Sequence, residues 1–331
     1  MSAEQPLASL SLDLDDLWSY LRTHGDPAWR AFPSYLDRVI PLVLAFCDER
    51  ALRLTLFVVG RDAARPAVAT LLREVPRHGH EVGNHSYEHE PWLDRYDDAR
   101  LEAELARAEA AIEAATGVRP TGFRGPGYSW SPRLLELLAA RGYVYDASTL
   151  PTFIGPLARR YYFQSARLTP EERAERAALF GRFSDGFRPL RPYRWPLPNG
   201  GTLLEVPVTT MPVLRLPIHL SYLLWLARRS ERLMLAYLRG ALALCRALDV
   251  APSYLLHPLD LVSGEEVPAL RFFPGMDLPG SRKREIARRV LGELTARYRM
   301  VPLGEHAQAV LAHDAVPSAA AAPARPSSVA G

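Results

Sequence analysis

Short runs of apolar and β-branched residues alternate along the chain with longer stretches whose apolar positions recur at helical spacing. The short runs predict strands near residues 9–14, 53–59, 81–84, 121–124, 143–146, 203–209, 253–257 and 299–302. The longer stretches predict helices near 34–50, 64–77, 97–116, 131–141, 217–249 and 283–297. This alternation is typical of parallel strands wrapped by helices, either as a barrel or as a doubly wound sheet.

Polar residues that could act in catalysis or metal binding lie at or just past the ends of five predicted strands. They are Asp13, Asp15 and Asp16 after the first strand, then His85, Arg124, Asp146 and His257 after four later ones. In a β/α barrel these strand ends form one face, which is where catalytic residues collect. We therefore expect a single site.

Composition narrows the class of protein. Of 331 residues, 48% are apolar and 23% are charged, which excludes a disordered chain and a multi-span membrane protein. The net charge of +3 gives no indication of a nucleic-acid partner. Cys47 and Cys245 lie in apolar runs, so we expect buried thiols in a reducing compartment. Since the N-terminus shows no secretory signal pattern, we expect a cytoplasmic protein.

Two regions depart from the strand and helix pattern. Residues 151–200 are rich in proline and in mixed arginine and aromatic clusters, with nine arginines against four acidic residues. The local charge of +5 leaves −2 for the remainder of the chain, given the total of +3. Residues 314–331 are small and Pro-rich. We expect one domain over 1–313, with an insertion at about 151–200, followed by a disordered tail.

The aspartates in SLDLDD admit two interpretations. Side chains alternate along a strand, so Asp13 and Asp15 point to the same side and repel each other. A divalent cation would compensate them, or one carboxylate could serve as a general base. Alternatively, they form a solvated strand end, with Asp16 as the N-cap of a helix that begins at LWSYL.

The other candidates are equally open when each is taken alone. His85 and His89 would face one metal ion if their segment were helical, although pairs with this spacing also arise by chance. The glycines after Arg124, in RGPGYSW, could expose N–H groups as an oxyanion hole or form an ordinary strand-to-helix turn. His257 ends an apolar strand, where a structural histidine is common.

Together and in this order, the motifs DLDD, HSYEH, RGPGY, the aspartate of YDAST, and LLH resemble those of the metal-dependent polysaccharide deacetylases. This family includes chitin, peptidoglycan and rhizobial chitooligosaccharide N-deacetylases. The resemblance covers residues from about 9 to 262. It implies a distorted (β/α) barrel with seven or eight parallel strands.

The resemblance also implies a metal site and a base. On a DxD alignment, Asp13 is the general base and Asp15 is a metal ligand, while an alignment on adjacent aspartates gives these roles to Asp15 and Asp16. His85 and His89 match the two metal histidines. The metal implied is Zn²⁺, and Co²⁺, Ni²⁺, Mn²⁺ and Fe²⁺ also suit mixed nitrogen and oxygen ligands.

Further roles follow from the same resemblance. Arg124 matches the residue that orients the base, and His257 matches the acid that protonates the departing amine. Asp146 lies in the region that tunes this acid, although the tryptophan common in that motif is absent. The residues implied in binding the oxyanion and substrate are Pro126, Gly127, Tyr128 and Trp130.

The implied activity is hydrolytic removal of an acetyl or formyl group from an amino sugar. The insertion and the PVT at 207–209, shared with lipid-linked aminoarabinose deformylases, favour a polyprenyl-phosphate-linked sugar or another cell-envelope glycan, met by peripheral contact at the inner membrane face. Two alternatives stay open: hydrolysis of a small non-sugar amide, as in the allantoinase-like branch, and a non-catalytic barrel that binds glycan or lipid. The sequence does not indicate an oligomeric state.

Overall fold

The computed structural model describes residues 5–177, 179–312 and 316–318. In this part of the chain the strands are β1 (Leu7–Leu14), β2 (Thr55–Val58), β3 (Glu81–Asn84), β4 (Gly122–Phe123), β5 (Tyr145–Asp146), β6 (Tyr193–Pro196), β7 (Thr202–Glu205), β8 (Ser253–Leu256) and β9 (Arg299–Val301). They form one sheet in the spatial order β6-β7-β5-β4-β3-β2-β1-β8, with β9 also paired to β1. Only the β6–β7 pair is antiparallel among these strands.

Helices surround this sheet. They are α1 (Leu17–His24), α2 (Leu36–Asp48), α3 (Gly60–Ala63), α4 (Pro66–Leu72), α5 (Glu74–Arg77), α6 (Asp98–Thr116), α7 (Pro132–Ala140), α8 (Gly155–Ser165), α9 (Pro170–Glu175), α10 (Leu220–Ala227), α11 (Glu231–Ala247), α12 (Gly280–Thr295) and α13 (Leu303–Leu311). None of the described helices is long and apolar enough to cross a membrane.

The segment after β7 closes the wall of the barrel. The Thr209 N–H donates to the Ser253 carbonyl oxygen at 3.0 Å, and the Ser253 N–H donates to Thr209 Oγ1 at 2.7 Å. These bonds join the chain beyond β7 to the start of β8, outside the regular ladder. The expected distorted (β/α) barrel is therefore confirmed, with eight parallel-paired strands and β6 as an antiparallel addition in the described chain.

The alternation along β1 decides which side chains enter the barrel. Leu10, Leu12 and Leu14 are buried in the apolar cluster that β1 shares with α2, α11 and α12. Successive residues of a strand point to opposite faces, so Ser11 and Asp13 face the other way, into the barrel. The sequence LSLDL thus packs its leucines under helices and sends its polar side chains to the interior.

Several elements differ from the sequence expectation. The strand β6 and the helices α8 and α9 lie within residues 151–200, where proline and arginine hide any periodicity. The helix expected over 217–249 is two helices, because α10 ends at Ala227 and Ser230 caps α11 by accepting the Leu233 N–H at 3.2 Å. The short helix α13 was not predicted either, whereas α1 is the helix that the capping interpretation of Asp16 placed at LWSYL.

Two smaller expectations concern the cysteines and the tail. Cys47 and Cys245 are buried free thiols, as expected. The tail expected at 314–331 lies outside the described residues, apart from 316–318. There the Pro317 carbonyl oxygen accepts the Arg194 N–H of β6 at 2.9 Å.

Candidate metal and catalytic site

Three side chains converge just past the ends of β1 and β3. His89 Nε2 lies 2.8 Å from Asp15 Oδ1, and His85 Nε2 lies 3.3 Å from the same oxygen. One donor atom from each residue falls within 4.8 Å of the others, and all three side chains are buried. This arrangement can hold a metal ion.

A turn, and not a helix, brings the two histidines together. Residues 85–89 contain no helical segment, and Ser86 and His89 adopt left-handed backbone conformations with φ of 63° and 51°. Asn84 Oδ1 accepts the Ser86 N–H at 2.8 Å, and Ser86 Oγ accepts the His89 N–H at 3.1 Å. Glu104 Oε1, from α6, accepts the two N–H groups between them. The two histidines thus meet without the helical segment that was the condition for a shared face, because side-chain acceptors replace the helical hydrogen bonds.

The chemistry of the donors fits a divalent cation. His85 Nδ1 lies 2.6 Å from the Arg124 carbonyl oxygen, and since a carbonyl only accepts, Nδ1 must carry the proton. Nε2 is then the ring nitrogen that would ligate a bound metal, with Nδ1 held by a carbonyl oxygen, which is the usual arrangement of a metal-ligating histidine. Burial tends to raise the pKa of Asp15, but His89 and His85 outweigh it and hold that pKa well below its usual range. The carboxylate is therefore anionic, as a ligand must be.

Asp16 is not brought to this cluster. Its Oδ1 accepts the Leu17 N–H at 2.7 Å as the N-cap of α1 and the Tyr35 N–H at 3.0 Å. Its Oδ2 faces Arg65 Nη1 at 3.3 Å. The alternative in which Asp16 is the ligand and Asp15 the base does not fit this geometry, because the Asp16 oxygens already serve the helix end and its neighbours. The capping interpretation of Asp16 is confirmed.

Asp13 is held by a fully buried arginine. Arg124 Nη1 donates to Asp13 Oδ1 at 2.7 Å and to Ser11 Oγ at 2.9 Å, while Nε donates to the Ala147 carbonyl oxygen at 3.0 Å. The guanidinium carbon lies 4.3 Å from the centre of the Phe57 ring. Arg124 has no exposed surface, so its charge is compensated chiefly by Asp13.

His257 completes the group from the end of β8. Its Nε2 lies 3.9 Å from Asp13 Oδ2, and its side chain is 20% exposed. On the other side of the ring, Nδ1 lies 3.4 Å from Ser221 Oγ and 3.9 Å from Asp260 Oδ2. Asp260 also accepts the His257 N–H at 2.8 Å and the Ser221 hydroxyl at 2.7 Å. The carboxylate beside His257 is therefore Asp260, where the sequence had indicated Asp146.

Asp146 supports a different part of the site. Its Oδ1 accepts the Ser148 hydroxyl at 2.5 Å, and Ser148 Oγ accepts the Gly125 N–H at 2.8 Å. Burial raises the pKa of Asp146, and burial together with the charge of Asp146 raises that of Glu205 well above its usual range. The expected tuning of His257 by Asp146 is replaced by support of the loop after Arg124, because the hydrogen bonds of Asp146 lead to Ser148.

The loop after Arg124 turns sharply at its glycines. A Cβ atom at Gly125 would collide with the Ser129 carbonyl oxygen, so the position requires glycine. Gly127 and Tyr128 have φ of 58° and 63°. The Tyr128 N–H donates to the Gly125 carbonyl oxygen at 3.0 Å. Among the residues implied in binding the oxyanion and substrate, Tyr128 thus already uses its N–H group in the turn.

The remaining loop residues have structural contacts. Pro126 begins a 3₁₀ turn that ends at Tyr128. Trp130 packs on Trp195 of β6 with ring centroids 4.5 Å apart, and Arg188 lies over the Trp130 ring at 4.4 Å. Trp130 therefore connects the loop to β6 and to Arg188.

Sequence reasoning missed His219, a buried residue at the start of α10. Its ring centroid lies 6.0 Å from that of His257 and 4.7 Å from that of Tyr222. Burial, together with the charges of His257 and Arg124, lowers the pKa of His219 well below its usual value, so the ring is neutral. An isolated histidine in the apolar run PIHLSYLL carries no signal of this proximity. The contact between Asp260 and His257 did have a sequence signal, because the two residues lie three apart in HPLD.

Comparison with known proteins agrees with the fold. A crystal structure of a Mycobacterium smegmatis protein assigned to the polysaccharide deacetylases superimposes with a TM-score of 0.55, covering 97% of this chain and 99% of that one at 20% identity. A similarity at this identity concerns the fold.

Two curated relatives match parts of the sequence. An uncharacterized Bacillus subtilis protein, YlxY, is 26% identical over 107 residues, which is 32% of this chain and 31% of that protein. A Helicobacter pylori peptidoglycan deacetylase is 27% identical over 155 residues, covering 45% of this chain and 51% of the relative. The chain thus spans about a third and about half of the lengths of these relatives.

The family model of the polysaccharide deacetylases matches residues 22–145. This segment contains His85, His89 and Arg124, and the aspartates of β1 and the histidine of β8 join them in space. The chain is thus similar in sequence to the polysaccharide deacetylases over this segment, and its fold is that of a polysaccharide deacetylase.

Proposed function

We propose that this protein is a metal-dependent hydrolase that removes an N-acyl group from an amino sugar. One observation carries the proposal: the donor set of Asp15, His85 and His89 adjoins a buried Asp13–Arg124 pair and a partly exposed His257. A metal site beside a carboxylate and an imidazole supplies the groups that amide hydrolysis needs. The match of residues 22–145 to the family model of the polysaccharide deacetylases agrees with this chemistry.

Asp15, His85 and His89 would hold the metal. When bound, a divalent cation would lower the pKa of a water ligand and polarise the acyl carbonyl group. Two nitrogens and one oxygen fit Zn²⁺ and leave positions for water and substrate, and Co²⁺, Ni²⁺, Mn²⁺ or Fe²⁺ could take the same ligands.

Asp13 would accept the proton of the attacking water. Its Oδ1 is fixed by Arg124 at 2.7 Å, so Oδ2 is the oxygen left for proton transfer. Arg124 is buried and also donates to Ser11 and to the Ala147 carbonyl oxygen, so its guanidinium group is fixed and can orient the Asp13 carboxylate.

His257 would donate a proton to the departing amine. Its Nε2 faces Asp13 at 3.9 Å, which places it on the same reacting centre. Ser221 and Asp260 on the Nδ1 side orient the ring. The 20% exposure of the side chain leaves a route for the product amine and for exchange of the proton with solvent.

The substrate class is supported by the relatives. The Helicobacter pylori protein is named a peptidoglycan deacetylase, which supports an N-acetylated amino sugar as substrate here. We extend this to a polyprenyl-phosphate-linked sugar at the cytoplasmic face of the membrane, with acetyl or formyl as the group removed. The arginines of residues 151–200 would suit its phosphate, and the buried thiols Cys47 and Cys245 suit a reducing compartment.

The test combines metal analysis with product release. Purified protein should bind one equivalent of Zn²⁺ and release acetate or formate from N-acylated amino sugars, whether free, oligomeric or linked to polyprenyl phosphate. The His85→Ala and His89→Ala variants should lose both properties. As a matched control, His78→Ala removes an exposed histidine that pairs with Asp48 outside the site, and it should keep both. Release of no acyl group from any of these substrates by metal-loaded protein would overturn the proposal.

A further inference from the structure

Exposed apolar side chains are concentrated in one part of the surface. Of the ten large apolar side chains exposed in the described chain, seven lie between residues 157 and 225. Six of these, which we call the apolar rim, are Leu157, Tyr161, Phe183, Phe187, Val213 and Leu214. Phe187 and Val213 are each 72% exposed. Such a cluster, in a chain whose other apolar residues are largely buried, marks an interaction surface.

Direct contacts connect the segments that carry the rim. Phe153 packs on both Phe183 and Phe187, each with ring centroids 5.0 Å apart. Arg215, next to Leu214, donates from Nη1 to the Arg188 carbonyl oxygen at 2.7 Å. The loop that contains Val213 and Leu214 therefore lies beside the 3₁₀ turn Phe183–Phe187.

The helix α8 joins the same group. Arg159 Nη1 donates to the carbonyl oxygens of Leu179 and Gly181 at 2.9 and 3.0 Å, which ties α8 to the segment just before Phe183. Leu157 and Tyr161 are exposed and four residues apart, so they share one face of α8.

The rim borders the catalytic face of the barrel. Its two segments follow β5 and β7, whose carboxyl ends belong to the edge that carries the site. His219, whose ring lies 6.0 Å from that of His257, comes four residues after Arg215. Leu150, which lies three residues before Phe153, packs in one apolar cluster with Tyr128 of the loop after Arg124.

Positive charge surrounds the rim. Arg160 and Arg182 are exposed, and neither has an ion pair within the described ranges. Burial, together with the charge of Arg182, lowers the pKa of Arg159, so these two guanidinium groups lie near each other. The one acidic residue in the 3₁₀ turn, Asp185, is paired with Arg188 at 3.1 Å. The surface is therefore both apolar and cationic.

We propose that the apolar rim docks this protein onto the surface of an anionic phospholipid bilayer. Exposed phenylalanines insert at the boundary between headgroups and acyl chains, and arginines contact lipid phosphates. The contact is peripheral, since none of the described helices could cross a membrane. The inference deepens the proposed function and rests on it in part, because a catalytic face held at a bilayer would reach a lipid-linked sugar.

Flotation with vesicles tests the docking separately from catalysis. The probes are phosphatidylcholine vesicles with and without phosphatidylglycerol, at low and high salt. Wild-type protein should float with the anionic vesicles, bind neutral vesicles about tenfold less, and dissociate as salt screens the arginines. The Phe183→Ser/Phe187→Ser and Arg160→Gln/Arg182→Gln variants should each lower partitioning about tenfold.

Val118→Ser is the matched control. Val118 is also exposed but lies in the connection from α6 to β4, at the amino ends of the strands. This variant should float like wild type. The Phe183→Ser/Phe187→Ser variant should keep its circular dichroism spectrum, bound metal and hydrolysis of a short soluble N-acetylated amino sugar, so a failure of docking is distinguishable from a failure of the proposed function.

Three outcomes would overturn the docking proposal. The first is no flotation of wild-type protein with anionic vesicles at low salt. The second is equal flotation of the rim variants and Val118→Ser. The third is a dimer in analytical ultracentrifugation that the Phe183→Ser/Phe187→Ser variant dissolves, which would make the rim an interface with a second copy.

Discussion

Replacing Arg124 by methionine should destabilise the protein strongly through one buried ion pair. Arg124 is fully buried and donates to Asp13 at 2.7 Å, Ser11 at 2.9 Å and Ala147 at 3.0 Å. Methionine fills much of the same volume, so the main loss is electrostatic. Asp13, only 5% exposed, is left without its cation. Breaking one partner of such a pair costs about 3–5 kcal/mol of unfolding free energy.

A double-mutant cycle separates the free energy of the Arg124–Asp13 ion pair from the effect of the substitutions on packing. Urea unfolding of chelator-treated wild type, Arg124→Met, Asp13→Asn and the double variant gives the coupling, which should be about 2–3 kcal/mol. The control is Arg141→Met, because Arg141 makes two comparable hydrogen bonds to Glu109 but is 24% exposed, and Glu109 keeps a second cation, Arg119, at 3.7 Å. It should lose only about 0.2–1 kcal/mol. A loss below about 1 kcal/mol for Arg124→Met, or a coupling near zero, would refute the argument.

Three further substitutions test other parts of the account. Burial lowers the pKa of His306 to about 4, so the native state excludes a proton that the unfolded chain binds below its pKa of about 6.5. Stability is thus lost as pH falls, by about 2 kcal/mol between pH 7 and pH 5 from this residue, and unfolding of His306→Gln at both values should lack that difference. Gly125→Ala, whose Cβ would meet the Ser129 carbonyl oxygen, should cost about 1–3 kcal/mol in thermal unfolding and abolish hydrolysis. Asp260→Asn should lower kcat about tenfold with bound metal unchanged, since it affects the orientation of His257 only; an unchanged kcat would refute that role.

Much of the fold could be predicted from the sequence because the barrel strands are short and buried. All eight predicted strands are present, since a strand covered on both sides must be a run of apolar or small residues. The antiparallel β6 escaped prediction because its segment, YRWP, lies among prolines and gains its burial from Trp130 and β7. Its structure is a consequence of tertiary packing, which a local pattern does not record.

The candidate site was predictable in its members but not in its geometry. Strand ends grouped Asp13, Asp15 and His85, because parallel strands share one edge, and the spacing of His89 from His85 added the second histidine. The turn that aligns the histidines depends on Glu104 of α6, which is 15 residues beyond His89 in the sequence. The neighbour of His257 did have a local signal, because Asp260 lies three residues after it, whereas only the folded barrel sets the distance of Asp146 from His257.

The central claim is metal-dependent hydrolysis with Asp13 as the base. The most direct measurement is acyl release from an N-acylated amino sugar by wild type and Asp13→Asn, each treated with chelator and then reloaded with Zn²⁺. The account predicts no product from chelated wild type, restored product after reloading, and no product from Asp13→Asn although it rebinds one equivalent of metal. Product that survives chelation, or an Asp13→Asn variant as active as wild type, would contradict it.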